Sequence, residues 1–236
     1  AKNINLSKKK EAKVKIISPL YINDYLKNEK DNVFFHGYKF PNFRGSSKFC
    51  NAVNSFLSPY LLKYFQPDLI HETYYNSIKR NNSRVKKIIT VYDMVHEIFS
   101  DRYYKKDKTS EQKKFAIKDS DHIICISKNT QKDLVRILDI DINKTSVVHL
   151  GHSLSIRKEK IQNVNERPYL LYVGARNGYK NFSRFIEAYA VSSKIKNSFD
   201  IVLFGNDIFT KDEVQIFKKL NIKMTNIKTV NGDDVK

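Results

Sequence analysis

The sequence predicts an α/β protein made of two parallel-sheet units, and three observations predict it. Short apolar runs with the length and the β-branched or aromatic content of buried strands recur along the chain, as in Arg84–Tyr92, His122–Ile126, Tyr169–Val173 and Asp200–Phe204. Amphipathic stretches with helical spacing fall between them, and such alternation belongs to parallel sheets covered on both faces. A polar, aperiodic stretch, residues 156–166 (IRKEKIQNVNE), reads as a linker between a first unit, 1–155, and a second, 167–236. The second unit has 70 residues, short of the roughly 100–200 of a complete domain, and is expected to be incomplete.

Residues 1–12 read as a polar lead-in. Lys13–Ser18 is a strand that Pro19 is expected to stop, and Val33–Phe40 is a second strand. From Ser46 a helix carries Phe49, Val53, Leu57, Tyr60, Leu61 and Tyr64 on one face, with a kink expected at Pro59. Asp68–Tyr74 and Arg84–Tyr92 are the next strands. Asp101–Lys118 is basic, with seven Lys or Arg against three Asp or Glu, and helical in its second half. His122–Ile126 is followed by a helix from Ser127 through Leu138, in which Thr130 and Asp133 have capping-box spacing. Thr145–Val148 is a short strand leading to Gly151. In the second unit, Tyr169–Val173 precedes a helix whose Phe182, Phe185, Ile186, Tyr189 and Ala190 fall at i, i+3, i+4, i+7 and i+8. The strand Asp200–Phe204 stops at Gly205, Lys211–Leu220 is a helix, and Asn226–Val230 is a last strand.

Composition narrows the partners. No apolar run approaches the roughly 20 residues that span a bilayer, and the opening stretch lacks the apolar core of a signal peptide. Two cysteines form no disulfide framework, so a reducing, cytoplasmic setting is expected. The formal charge of +18 calls for a negatively charged partner. Of the basic residues 34 are lysines and 9 arginines, whereas base reading leans on arginine forks; nucleic acid is therefore not the expected partner. A solvated lysine-rich surface and an anionic membrane face are the two readings kept.

Sequence fingerprints for dinucleotides, P-loops and paired metal-binding histidines are absent. Asp119 with Asp121 and Asp139 with Asp141 sit at helix-to-strand junctions, where Asp is a common turn residue, so neither pair is read as a metal site. In open parallel sheets, ligands bind at the carboxyl ends of strands. His71, Glu72, Tyr74 and Tyr75 lie at one such end, Tyr92 and Asp93 at another, Ser127 at a third. A structural role is the default for a lone His or Tyr there, and Ser127 is most simply a helix cap. The fourth end is better defined. Tyr169–Val173 runs into Gly174, a loop with Arg176, Gly178 and Lys180, and a helix start at Asn181. Backbone N–H groups, close approach at glycine and two cations form a recipe for gripping a diphosphate.

Four stretches carry a family resemblance: TVYDMVHEIF (90–99), KDSDHIICISKNTQKDL (118–134), INKTSVVHLGHS (142–153) and YLLYVGARNGYKNFSRFIEAY (169–189). In this order they resemble the family 4 glycosyltransferases, the last one most of all members that build O-antigen and other surface polysaccharides, mannosyltransferases among them. The resemblance implies a GT-B fold of two Rossmann-like domains, acceptor-side first and donor-side second. It implies a retaining sugar transfer from a nucleotide-diphosphate sugar to a glycan or lipid-linked glycan, without a metal or other cofactor, in the cytoplasm or at the inner membrane face. By position, Arg176 and Lys180 match the residues that bind the donor pyrophosphate, and Gly174, Gly178 and Gly205 line the donor site. Tyr92 stands where many members have a histidine, followed by Asp93 as in their His-Asp pair; these two are the candidate catalytic residues. His71, Tyr74 and Ser127 are the candidates on the acceptor side. The family's opening glycine-rich loop and its late Glu-x7-Glu segment are not found, so the chain is expected to be truncated at both ends. A non-catalytic or split binding module is the alternative reading.

Overall fold

The computed structural model describes residues 13–23, 34–75, 78, 80, 84–102, 107–151, 167–176, 180–205 and 208–230. The chain divides into two compact units, residues 1–98 with 106–151, and residues 99–105 with 152–236. The expected lead-in 1–12 and linker 156–166 lie outside the described residues.

In the first unit, β1 (Lys15–Tyr21) pairs in parallel with β2 (Phe34–Lys39). The strand does not stop at Pro19. It continues to Tyr21, and the register shifts between Ile17 and Leu20, the irregularity that a residue without an N–H imposes on a ladder. Helix α1 (Ser46–Phe65) repairs the damage: Asn54 Oδ1 accepts from Leu20 N at 2.7 Å and its Nδ2 donates to Leu20 O at 2.9 Å. That contact ties the Asn54 side of α1 to β1. Ser46, Cys50, Ser58 and Leu62 are buried; of the apolar residues expected on one face, Phe49, Leu57, Tyr60 and Tyr64 are exposed and Val53 and Leu61 half-buried. The helix runs as one element through Pro59.

Strands β3 (Leu69–Glu72), β4 (Lys86–Val91), β5 (His122–Cys125) and β6 (Thr145–Val147) form a second parallel sheet in that order. Between them come a short helix α2 (Val95–Ile98), then α3 (Thr109–Lys118) and α4 (Lys128–Leu138). Ile89, Val91, Ala116, Ile117, Ile123 and Leu134 make the core. The cap of α4 is Ser127, whose Oγ accepts from Thr130 N at 3.1 Å; Asp133, expected to close a box with Thr130, bonds Arg136 instead. Asp119 and Asp121 anchor cations of the fold. Lys87, fully buried, donates to Asp119 Oδ2 at 2.6 Å and lies 3.1 Å from Glu72 Oε1, and Arg80 bonds Asp121 Oδ2 at 2.6 Å.

In the second unit β7 (Tyr169–Val173), β8 (Asp200–Phe204) and β9 (Ile227–Val230) form a parallel sheet in that order. Helices α5 (Phe182–Val191), α6 (Ser193–Ser198) and α7 (Lys211–Lys219) accompany it. The stripe of α5 lies where its spacing predicts: Phe182, Ile186 and Tyr189 are buried against Ile201, Leu203 and Phe217. The edge strand β7 is not buried on both faces. Leu170 and Tyr172 pack on the core, whereas Tyr169, Leu171 and Val173 are each more than half exposed. Among the described residues no helix is long and apolar enough to cross a membrane.

Candidate functional site

At the carboxyl end of β4, the chain turns sharply through Tyr92 and Asp93. Asp93 Oδ1 accepts from Val95 N at 3.1 Å, which starts α2, and the carboxylate keeps 49% of its surface exposed. Beneath it lies Lys113 of α3, fully buried. Its Nζ donates to Asp93 O and to Glu97 Oε2, each at 2.8 Å, lies 3.9 Å from Asp93 Oδ1, and sits 5.2 Å from the centre of the Tyr75 ring. Burial, and behind it the negative Asp93, push the Tyr75 phenol up, so it stays neutral. The other oxygen of Glu97, Oε1, is buried without a hydrogen bond. Lys113 therefore fixes the backbone and the charge of the turn that presents Asp93. In the sequence it is one of the seven basic residues of 101–118.

The remaining first-unit candidates gather at neighbouring strand ends. Ser127 follows β5, which pairs with β4 as Val91 opposite Cys125. Its hydroxyl is 3.0 Å from Thr130 Oγ1, which in turn donates to Tyr92 O at 3.2 Å. Ser127 is a helix cap tied to the Tyr92 turn. His71 lies within β3, its Nε2 2.8 Å from Thr90 Oγ1, and burial pushes its imidazole below the usual value, toward the neutral form. Tyr74, about half exposed, packs on Tyr75 with ring centres 4.8 Å apart.

In the second unit two strand ends are stripped to backbone. Gly174 (φ 119°) closes β7 and Gly205 (φ 133°) closes β8, conformations that side chains rarely adopt. Gly174 N donates to Phe204 O at 2.9 Å, and a Cβ on Gly205 would come within 3.4 Å of Gly174 O. Lys180 crosses this floor: a Cβ on Gly174 would lie 3.8 Å from Lys180 Nζ. Tyr172 pins the loop from below, donating to Ala175 O at 2.9 Å. Helix α5 then starts at Asn181, whose backbone is left-handed (φ 61°) and whose side chain makes no cap hydrogen bond. The first N–H groups of α5 thus receive no side-chain cap from Asn181. Gly178 lies outside the described residues.

Arg176 stands differently from its sequence reading. Its Nε donates to Glu213 Oε1 at 2.7 Å and its Nη2 to Glu213 Oε2 at 3.3 Å and Ile208 O at 2.7 Å, over the Phe209 ring at 5.1 Å. Its side chain is only 5% exposed. Burial works to raise Glu213, but the Arg176 guanidinium and the Thr210 amide outweigh it and hold this carboxyl below its ordinary value. Glu213 also closes a capping box with Thr210 at the start of α7. The sequence carried that signal, Thr-x-x-Glu ahead of an amphipathic run, but nothing in it joined Glu213 to Arg176. Among the described residues no group of three or more His, Cys, Asp or Glu is placed to hold a metal ion.

A model of Glycosyltransferase Family 4 matches residues 8–155. No curated protein matches the chain in sequence. Several solved structures share its fold. The apo form of the lipopolysaccharide outer core galactosyltransferase WaaB is 16% identical with a TM-score of 0.53; the match covers 89% of this chain and 55% of that one. WaaG, a glycosyltransferase involved in lipopolysaccharide biosynthesis, is 13% identical with a TM-score of 0.59, covering 94% and 71%. A glycosyltransferase from Rickettsia africae ESF-5 is 16% identical with a TM-score of 0.51, covering 93% and 68%. The chain spans about half the length of the first of these.

Proposed function

The chain belongs to glycosyltransferase family 4, with the parallel α/β units of the GT-B fold, and from this we propose that it serves a retaining sugar transfer. The donor is a nucleotide-diphosphate sugar and the acceptor a glycan or lipid-linked glycan of a surface polysaccharide or lipopolysaccharide; mannose is the sugar proposed. Residues 1–155 are assigned to the acceptor side and residues 167–236 to the donor side. The observation that carries the reading is the floor of Gly174 and Gly205 beneath Lys180, ahead of the helix start at Asn181. Bare backbone at adjacent strand ends and a lysine above it suit a diphosphate.

Each residue then has a task. As the glycosidic bond breaks, charge grows on the leaving nucleoside diphosphate, and Lys180 offsets it where stabilisation lowers the barrier. Arg176 contributes less field than a lone guanidinium, because Glu213 neutralises part of it; the pair shapes the loop around the phosphates. Asp93 orients an acceptor or sugar hydroxyl, held by Lys113. Tyr92 lines the same turn, and a phenol is a poor base near neutral pH, so its task is contact. No metal is assigned a step. The work is placed in the cytoplasm, beside a membrane-borne acceptor.

Calorimetric titration with UDP, GDP and ADP tests the site. One diphosphate is expected to bind, and Lys180→Ala is expected to weaken it by about tenfold, the loss of one charge-assisted contact. A folded sample that binds none of the three, or an unaffected Lys180→Ala variant, overturns the assignment. The diphosphate that binds names the donor class.

A further inference from the structure

We propose that Glu213 sets how tightly the second unit holds a diphosphate, by occupying the edge of Arg176 that would otherwise fork onto a phosphate. The inference rests on the donor-site reading of the preceding section and names a further residue that controls that site. Arg176 gives Nε–H and one Nη2–H to the two oxygens of Glu213, at 2.7 and 3.3 Å, and Nη2 also donates to Ile208 O at 2.7 Å. A guanidinium carries five N–H groups, and carboxylate and phosphate compete for the same parallel pair. That pair is taken here, on a side chain only 5% exposed.

The carboxylate is both fixed and charged. Thr210 N donates to Glu213 Oε2 at 2.8 Å and Glu213 N donates to Thr210 Oγ1 at 3.2 Å, so the first turn of α7 holds it from two sides. The positive end of the helix favours an anion at that place. Burial works to raise the carboxyl, but the Arg176 and Thr210 hydrogen bonds outweigh it and keep it ionised near neutral pH. The loop brings Arg176 within reach of the bared strand ends. It lies two residues beyond Gly174, a span of at most about 7 Å. The Tyr172 hydroxyl bonds Ala175 O at 2.9 Å and Lys180 O at 3.3 Å, so the backbone before Arg176 and that of Lys180 meet at one group. Glu213 therefore occupies one of the two cations that this loop offers a ligand. The use is in release: the nucleoside diphosphate is a product of the transfer, and a site that holds it less firmly frees it sooner.

The full chain is titrated calorimetrically with UDP, GDP and ADP, as the parent and as Glu213→Gln, Arg176→Ala and Arg176→Ala/Glu213→Gln. Glutamine has the same shape. Its oxygen keeps the bond from Thr210 N, and its amide nitrogen then faces Arg176 Nε, donor against donor. Glu213→Gln is expected to bind the diphosphate about tenfold more tightly than the parent. Arg176→Ala is expected to lose less than the roughly tenfold assigned to Lys180→Ala, because its guanidinium is already occupied. The double variant is expected to bind as Arg176→Ala does, since the gain needs the guanidinium. A Glu213→Gln variant that is folded by circular dichroism and gains nothing overturns the proposal. So does a gain that survives in the double variant, which would come from the loss of a negative charge alone. If Glu213→Gln does not fold, Glu213→Asp is read in its place. It keeps the charge on the first turn, draws it back by one methylene and is expected to gain about threefold; no gain overturns the proposal. A folded parent that binds none of the three diphosphates overturns the transferase reading and the proposal together. Binding by the parent without a gain in the variants overturns the proposal and leaves that reading standing.

Discussion

The two units solve one problem, how to end a parallel sheet in polar groups, in opposite ways. In the first, the strand ends are braced by buried charge. Lys87 is held between Glu72 and Asp119, and Lys113 between Glu97 and the Asp93 turn. In the second, the strand ends are bared to glycine backbone, with Lys180 exposed above them. A buried cation whose partners are all protein shapes a site, because moving it leaves charges unpaired in a medium of low dielectric. An exposed lysine beside strand ends without side chains stands at the surface, where a ligand can reach it. The difference separates residues that hold the shape from residues that meet substrate.

The largest expected effect tests the braced end. Lys113→Met strands Glu97 in the interior and is expected to cost about 3–5 kcal/mol in urea denaturation, with a large part recovered by adding Glu97→Gln. If the single variant is as stable as the parent, the lysine is not a brace. Next comes the Arg176–Glu213 pair, which belongs by its burial to the braced kind although it sits in the bared unit. Arg176→Ala is expected to cost about 2–3 kcal/mol as well as diphosphate affinity. A loss of affinity with no loss of stability would move Arg176 back among the residues that meet substrate. Acid sharpens the same point. The Glu213 carboxyl lies below its ordinary 4.5 in the folded chain, so its contribution is present above pH 4.5 and is lost as pH falls through the folded value. The variant Glu213→Gln should flatten that limb of the stability–pH curve. Ser127→Ala removes the cap of α4 and is expected to cost about 1 kcal/mol. Smallest of all, Lys180→Ala should change the stability by no more than about 0.5 kcal/mol in urea denaturation while weakening diphosphate binding. A marked destabilisation there would erase the contrast between the two ends.

Most strands and helices were legible in the sequence, and so was the loop that carries Arg176 and Lys180. Strand β8 and the inward stripe of α5 follow from apolar runs and spacings within a single segment, bounded by glycine or polar residues. Hydrogen bonding along the chain and the periodicity of each element are local properties, so a local pattern suffices to read them. Tertiary structure alone decided which face of α1 turned inward. Phe49, Leu57, Tyr60 and Tyr64 of that helix stay exposed, while its half-buried Asn54 gives Leu20, beside the register shift, both an acceptor and a donor. It alone decided that Lys113 braces Asp93 across 20 positions of sequence and that Arg176 is tied to Glu213 across 37. A charge on a sequence looks the same whether solvent or a distant carboxylate surrounds it. Its partner, and with it the choice between shaping the site and meeting the substrate, exists only once the chain has folded.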